Sequence, residues 1–533
     1  MEDKKVFGAL ICCSSAGIMK PERIKDFIDK ISAMGYNLLE LCTDDTYKID
    51  EEPYFGYLRG GYSKAELKDL DAYAASKGVE LVPSIQTLAH LNNLVKLPCY
   101  SGIVDIDDIL LVDEPRTYEL VENMFKTLRE CYSTHKVNIG FDEAHKIGRG
   151  KYLDKHGFVN RYEILLHHLN KVVENAAKYD FKVHMWSDMF FRIANKGNYY
   201  GKGIHIPEEV RKMVPPTAGI CYWDYDHLDE EIYDEMFKSH EEFGNEVWFA
   251  GCGGFTSNGF APFNHIMEKS SLAAMKQVRK HNIKNVIMTI WDDDGHDCPY
   301  YTALPSLYCA KQFYDGNFDM DSIKKGFKAM FGVDYDDFLM LDLPNKTKFN
   351  QDFMTCKNPC KSLLFNDCFV GWKDGTLYEQ LPTNFGDHAK VLEELIPKFG
   401  EYKYLPDFYA KLCRVLEIKA ELGIRTRDAY QKKDIESLKK LVPEYKECAK
   451  RLEAFTESMR SIWMMDNKPY GWEIHTIRLG GLKERILDCA RRLEDYISGK
   501  DKEIPELSEK ILLYADWGLQ WNRYRDNVTV STL

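Results

Sequence analysis

Several things are missing from this chain, and each absence removes a class of function. No apolar run in its 533 residues approaches the length of a bilayer span, which excludes a transmembrane helix. Positive charge is not in excess. Lys and Arg number 71 against 84 Asp and Glu, and a net charge of −13 argues against nucleic acid or an anionic membrane as the main partner. The 15 cysteines include no CxxC pair of zinc-site spacing, and several fall inside strand- or helix-like stretches (Cys12, Cys42, Cys221, Cys309). They read as reduced core thiols of a cytoplasmic protein. Met1-Glu2-Asp3-Lys4-Lys5 leads straight into a strand with no signal peptide before it. There is no low-complexity segment and no internal repeat. What remains is the composition of a folded protein, 44% hydrophobic and 13% aromatic, long enough for a large barrel and one further domain.

From residue 6 a strand pattern and a helix pattern alternate. Strand-like runs fall at 6–13, 37–42, 79–84, 136–141, 181–186, 218–223, 246–251 and 285–291. Amphipathic helical stretches lie between them, and an eighth near 303–314 follows the last strand. Proline opens helices at Lys20-Pro21-Glu22 and Ile206-Pro207-Glu208, and glycine closes them at Met34-Gly35 and Lys77-Gly78. Eight strands with eight helices predict an α/β fold, a (β/α)₈ TIM barrel, over residues 1–316. Residues 317–385 read as a linker and wrapping segment. Helical stripes such as Phe408, Leu412, Val415 and Leu438, Leu441, Tyr445 make 386–533 an all-helical C-terminal domain. Within it, Tyr470–Gly481 is less regular. That stretch is open to three roles: reaching over the barrel mouth, forming an oligomer interface that leaves a homodimer open, or packing between helices.

A barrel of this kind carries its chemistry at the C-terminal ends of its strands. The fourth strand ends in Asp142-Glu143. Period-2 alternation puts Asn138, Gly140 and Asp142 on one face and Val137, Ile139 and Phe141 on the other. Glu143 joins Asp142 in one pocket only if the chain leaves the ladder there. Two adjacent carboxyls repel as anions, so one of them is expected to hold its proton near neutrality, the equipment of an acid-catalysed hydrolase. An ordinary strand end with solvated acids carries the same residues, so the context decides. Trp186, Trp223 and Trp291 recur at strand ends, where they would cage part of a sugar by packing C–H groups on their rings.

With these stretches assembled, the chain resembles glycoside hydrolase family 20, the β-N-acetylhexosaminidases. The likeness is carried by Asn138-Ile139-Gly140-Phe141-Asp142-Glu143-Ala144-His145, Asp45-Thr46-Tyr47, Pro53–Tyr57, Gln86–Leu91, Met185–Phe191 and Tyr222–Tyr225. It covers the barrel and, more weakly, the helical tail through Ile477–Gly481. The resemblance implies substrate-assisted retention, with the substrate's 2-acetamido oxygen attacking C1 to form an oxazolinium ion. Asp142 would orient the acetamido group, and Glu143 would protonate the leaving oxygen and then activate water. Tyr225, or Tyr222, would hydrogen-bond the acetamido oxygen. Trp186, Trp223 and Trp291 would wall the pocket, and His90 and His145 would support the carboxylates. The implied partner is a small glycan or glycoconjugate bearing a 2-acetamido sugar, GlcNAc or GalNAc, with no cofactor and no metal.

The chain departs from the family pattern in three places. Ser15 stands where an arginine commonly follows the first strand. The acid for the far hydroxyls, usually glutamate, is assigned to Asp297. The loop Gly253–Gly259 lacks the expected tryptophan. Ser15 and Asp297 are expected to loosen the reading of the C3, C4 and C6 hydroxyls. Two other functions stay in view: a weakened or non-catalytic glycan-binding barrel, and a metal-dependent hydrolase using His90, His145, His184, Asp188 or His296.

Overall fold

The computed structural model describes residues 5–531 apart from 226, 255–258, 292, 349, 352–357, 379–383 and 515–522. Eight parallel strands close into a barrel: β1 Val6–Cys12, β2 Leu38–Cys42, β3 Glu80–Ser84, β4 Lys136–Asn138, β5 Lys182–Trp186, β6 Gly219–Trp223, β7 Val247–Cys252 and β8 Asn285–Ile290. Each neighbours the next in sequence, and β1 closes the ring by pairing with both β2 (Gly8 beside Leu38) and β8 (Gly8 beside Ile287). Alternation decides what faces inward. Val6, Leu10, Leu38, Val82, Trp248 and Ile287 fill the barrel, while Phe7, Ala9, Ile11, Leu39 and Leu41 pack outward against the helices.

Around the barrel run α1 Pro21–Ala33, α2 Lys64–Ser76, α3 Pro115–Cys131, α4 Arg161–Lys178, α5 Glu208–Met213, α6 Glu230–Glu241, α7 Asn264–Lys280 and α8 Leu304–Asp315. Proline begins α1 and α3, and a capping box between Ser63 and Glu66 begins α2. One polar layer interrupts the apolar interior. Glu40 is fully buried, 2.7 Å from His184 Nε2, and accepts a hydrogen bond of 3.0 Å from Asn138 Nδ2. His184 stacks on Trp248 at 4.2 Å. The layer satisfies its own polar groups, and it fixes the end of β4 from inside.

Beyond α8, helices at Met320–Phe331, Pro359–Phe365 and elsewhere lead to four further helices, α9 Phe385–Leu395, α10 Tyr404–Gln431, α11 Ile435–Asp466 and α12 Trp472–Ile497. The irregularity expected at Tyr470–Gly481 is absent from Trp472 onward: α12 runs unbroken through Gly480 and Gly481. Each mid-helix glycine costs about 1 kcal/mol, and the buried stripe Leu479, Leu482, Ile486, Leu493 outweighs that. Ile477, on the same helix, is 70% exposed. The α11–α12 turn docks on the barrel through an antiparallel bridge of Met19 with Asn467. Backbone bonds from Lys20 N to Asp466 O (2.9 Å) and Lys468 N to Ile18 O (2.8 Å) flank it, with Arg23 Nε 2.9 Å from Asp466 Oδ1. Among the described residues every cysteine is a free thiol, and all but Cys99 are buried.

Candidate active site

The strand pattern continues to Phe141, but the regular part of β4 stops at Asn138. Ladder-type bonds carry on briefly, with Ile139 N donating to His184 O and Trp186 N donating to Gly140 O, both at 3.0 Å. Then the chain turns through the left-handed region at Gly140 (φ 75°), Phe141 (φ 79°) and Glu143 (φ 51°). Asn138 Oδ1 caps this turn by accepting from Gly140 N at 3.0 Å. Gly140 is needed twice over: a Cβ there would sit 2.0 Å from Gln86 Oε1. Phe141 pays a backbone strain of roughly 1–2 kcal/mol, and its fully buried ring, stacked on His168 at 5.3 Å, holds it there. The departure from the ladder brings Asp142 and Glu143 to one cavity of about 660 Å³, within the usual range for small-molecule sites.

The two carboxylates have different surroundings. Asp142 accepts a hydrogen bond from Gln86 Nε2 (3.0 Å), and its Oδ2 lies 3.1 Å from His90 Nε2. Burial pushes Asp142 up, but the His90 charge and the bonds from His90 and Gln86 prevail and hold it below the usual carboxylate range. Burial likewise works against a charged His90, yet Asp142, then Glu143 and Asp44, raise it well above its ordinary value. At neutral pH the two form an ion pair. Glu143 is the more open of the two acids, 41% exposed against 18% for Asp142. Its Oε2 lies 3.8 Å from His90 Nε2, its Oε1 accepts from Arg192 Nη2 at 3.4 Å, and its backbone N donates to Asp188 Oδ2 at 3.2 Å.

The expected upward shift therefore does not fall on Asp142, because His90 sits against it. Two neighbouring acids are raised. Burial, then repulsion from Asp142 and Glu143, raises Asp188 to about 7 although Arg192 Nε bonds it at 2.8 Å. Burial chiefly raises Asp44 to about 7 as well.

Aromatic side chains form the next sector of the wall. Trp186 at the end of β5 is almost wholly buried, 5.8 Å from the Trp291 ring after β8. Trp223 at the end of β6 stacks on Tyr225 at 5.2 Å. All four line the cavity. Tyr222 does not: it points into the outer core between Phe237 and Phe249, its hydroxyl donating to Asp224 Oδ2 at 2.7 Å. Of the two tyrosines left open by the sequence, only Tyr225 faces the cavity. Of the metal candidates, His90 and Asp188 stand at the two carboxylates, whereas His184 lies in the barrel interior and His296 packs on Tyr300 at 4.0 Å; among the described residues no group of three or more His, Cys, Asp or Glu is arranged to hold a metal ion.

The far wall differs from the sequence reading. Asp297 does not line the cavity. Its carboxylate is buried beneath the wall, Oδ2 2.7 Å from Lys361 Nζ and Oδ1 3.7 Å from His475 Nδ1. Asp293 and Asp294 line the cavity instead, since the turn after β8 takes Asp297 past the rim. Ser15 is on the lining, and Arg59 from the β2–α2 loop covers it. Arg59 Nη1 donates to Ser15 O at 2.8 Å, while Nη2 donates to Ser14 O and, at 3.2 Å, to Asp45 Oδ1. Gln86, Asp44, Asp294 and Arg478 are cavity residues that strand-end reading did not single out. Gln86 and Asp44 stand within strand-end motifs and were open to that signal, whereas the other two depend on how distant segments meet. The loop 255–258 lies outside the described residues.

Comparison with known proteins gives two family matches and several distant relatives. The family model for the glycosyl hydrolase family 20 catalytic domain matches residues 17–199, and that for the Glycoside Hydrolase 20C C-terminal domain matches residues 336–520. A probable beta-hexosaminidase of Arthroderma benhamiae is 19% identical over 375 residues, spanning 59% of each chain. Hexosaminidase D of Homo sapiens is 22% identical over 345 residues, spanning 59% of this chain and 66% of the human one. The alignment thus spans less than two thirds of either curated relative. Among solved structures, a beta-N-acetylhexosaminidase from Bacteroides fragilis aligns with TM-score 0.47 and 17% identity, covering 62% of this chain and 70% of its own.

Proposed function

The chain belongs to glycoside hydrolase family 20, and from that premise we propose that it is an exo-acting β-N-acetylhexosaminidase releasing terminal β-linked GlcNAc or GalNAc from small glycans. The observation that carries this reading is the contrast in surroundings between two adjacent acids. Asp142 is held ionised at the floor of the cavity by His90 and Gln86, and Glu143 stands beside it, open to the mouth.

In this reading the reducing-end oxygen lies against Glu143 and the 2-acetamido group enters the sector of Trp186, Trp223, Tyr225 and Trp291. The acetamido oxygen attacks C1 and the glycosidic C–O bond breaks as Glu143 gives its proton to the leaving oxygen. The positive charge that develops on the acetamido nitrogen falls beside anionic Asp142, which accepts the N–H. A carboxylate fixed before the reaction in a water-poor site stabilises such charge without reorganisation. Glu143, now ionised, takes a proton from water as that water opens the oxazolinium at C1. The configuration of the product is therefore retained.

The test is a series of aryl substrates in which the acetamido methyl carries one, two or three fluorines. Each fluorine weakens the acetamido oxygen as a nucleophile, so turnover is expected to fall stepwise. A flat series would contradict participation by the substrate.

A further inference from the structure

The rim of an eight-strand ring has opposite sectors, and here β8 lies across from β4 and β1 across from β5. The catalytic acids stand on β4. C1 and C4 are on opposite sides of a pyranose ring, so a sugar with C1 at Glu143 presents its far hydroxyls toward β8 and β1. On the β1 side Arg59 stands over Ser15, and on the β8 side Asp297 is turned away beneath the wall.

A guanidinium from outside the barrel stands in that sector. Arg478, on α12, lines the cavity and is fixed on three sides. Nη1 donates to the Asp294 carbonyl at 2.8 Å, Nη2 donates to Asp294 Oδ1 at 2.9 Å, and the guanidinium lies 4.7 Å from the Tyr524 ring centroid. Asp294 is itself locked. Its Oδ2 accepts from Lys361 Nζ at 2.7 Å and from Tyr524 N at 2.6 Å, and Lys361, 1% exposed, holds Asp297 at the same distance. Next along the helix, His475 Nε2 lies 2.6 Å from Gly295 O. Two cations and two anions from three separate stretches of chain thus form a neutral, mostly buried cluster with one face on the cavity. The bonds to Asp294 engage two of the five N–H donors of Arg478, so the fork can still donate to a ligand.

We propose that Arg478 is a specificity-determining residue of the sugar pocket, donating to a ring hydroxyl on the side away from C1, so that the C-terminal domain completes the site. This rests on the reading of the cavity as a 2-acetamido-sugar pocket. The cluster then has a purpose that packing alone does not require: it presents one guanidinium, pre-oriented, on the β8 side of the cavity, where Arg59 on the β1 side does not stand. It also accounts for the burial of Asp297, which balances Lys361.

The experiment uses the full chain and aryl 2-acetamido-β-glycosides of the parent sugar and its 3-deoxy, 4-deoxy and 6-deoxy analogues, with kcat and KM measured separately. In the native enzyme, removing the hydroxyl that Arg478 reads should cost roughly 10- to 100-fold in kcat/KM, the worth of a charged hydrogen bond. Arg478→Gln should raise KM on the parent sugar about tenfold with a smaller change in kcat, and should bring the penalty at that one position close to unity. Arg478→Lys should fall between. Unchanged penalties at all three positions in folded Arg478→Gln protein, checked by its melting temperature, would overturn the proposal. A native enzyme that cleaves substrates lacking the acetamido group as well as those with it would instead overturn the underlying functional reading, and that control is run first.

Discussion

At the scale of single residues, the account turns on the different roles of two neighbouring acids. In the proposed mechanism Glu143→Gln removes the proton donor, so hydrolysis of substrates with poor leaving groups should fall far more than that of activated aryl glycosides. Steady-state rates on one substrate of each kind are enough, and equal loss on both would remove Glu143 from the acid role. His90→Gln tests the ion pair. Burial is the largest influence on Asp142 and pushes it up, so loss of the His90 charge should move the acid limb of the kcat/KM profile toward neutral pH. Stability should follow the same pair. The lowered Asp142 contributes stability above about pH 3.9, lost as pH falls through its folded value. The raised His90 contributes below about pH 6.5, lost as pH rises through its folded value. The melting-temperature gap between native protein and His90→Gln should therefore be widest between those two values.

Residue identity was legible in the sequence wherever the strand ends were. Asp142, Glu143, Trp186, Trp223, Tyr225, Trp291 and His90 all stand at or just past such ends, and all line one cavity. Asp297 shows where that reading ran out. After β8 the chain turns through Gly295 (φ 101°) and His296 (φ 59°), and residues three apart in such a turn face different partners. No spacing rule distinguishes Asp294 from Asp297. Both acids meet Lys361, more than sixty residues away, and they differ in their further partners, Arg478 for Asp294 and His475 for Asp297.

At the scale of elements, the alternation of β-branched and small residues located all eight strands within a residue or two, except for the early end of β4. There the hydrophobic pattern reads on to Phe141, while the backbone has already turned at Gly140. That turn is the element on which the site is built. Gly140→Ala should lose activity by more than its stability cost explains. The left-handed conformation alone costs about 1–2 kcal/mol in a non-glycine residue, whereas the new methyl also drives Gln86 off Asp142. Melting temperature and kcat measured on the same preparation separate the two effects, and a fall in stability with kcat intact would show that Gln86 can move without consequence.

At the scale of the whole molecule, the barrel and the helical region were visible as separate patterns, but their joint cavity was not. Packing of α12 over the rim depends on contacts between residues more than four hundred positions apart, such as Arg23 with Asp466. Asp466 is 1% exposed and its partner is 23% exposed. Arg23 keeps Asp26 at 3.5 Å and is partly exposed, so Asp466→Ala should destabilise the protein by about 1.5–2 kcal/mol, the scale of one charged hydrogen bond. Because Arg478 and Ile474 lie on the helix that follows this docking turn, KM should rise as well. A thermal scan with a KM measurement checks both, and lost stability with KM unchanged would show that α12 holds its place without that anchor.

The most direct test of the central claim compares aryl β-glycosides of GlcNAc, GalNAc, glucose and galactose on the native enzyme. Under the proposed mechanism, with the acetamido oxygen as nucleophile and Asp142 accepting its N–H, the two acetamido sugars should be cleaved and the two plain sugars rejected by at least about a thousandfold, on the scale of one lost preorganised electrostatic contact and more. Efficient cleavage of the glucoside or galactoside would contradict the account, because Asp142 would then have no acetamido group to stabilise.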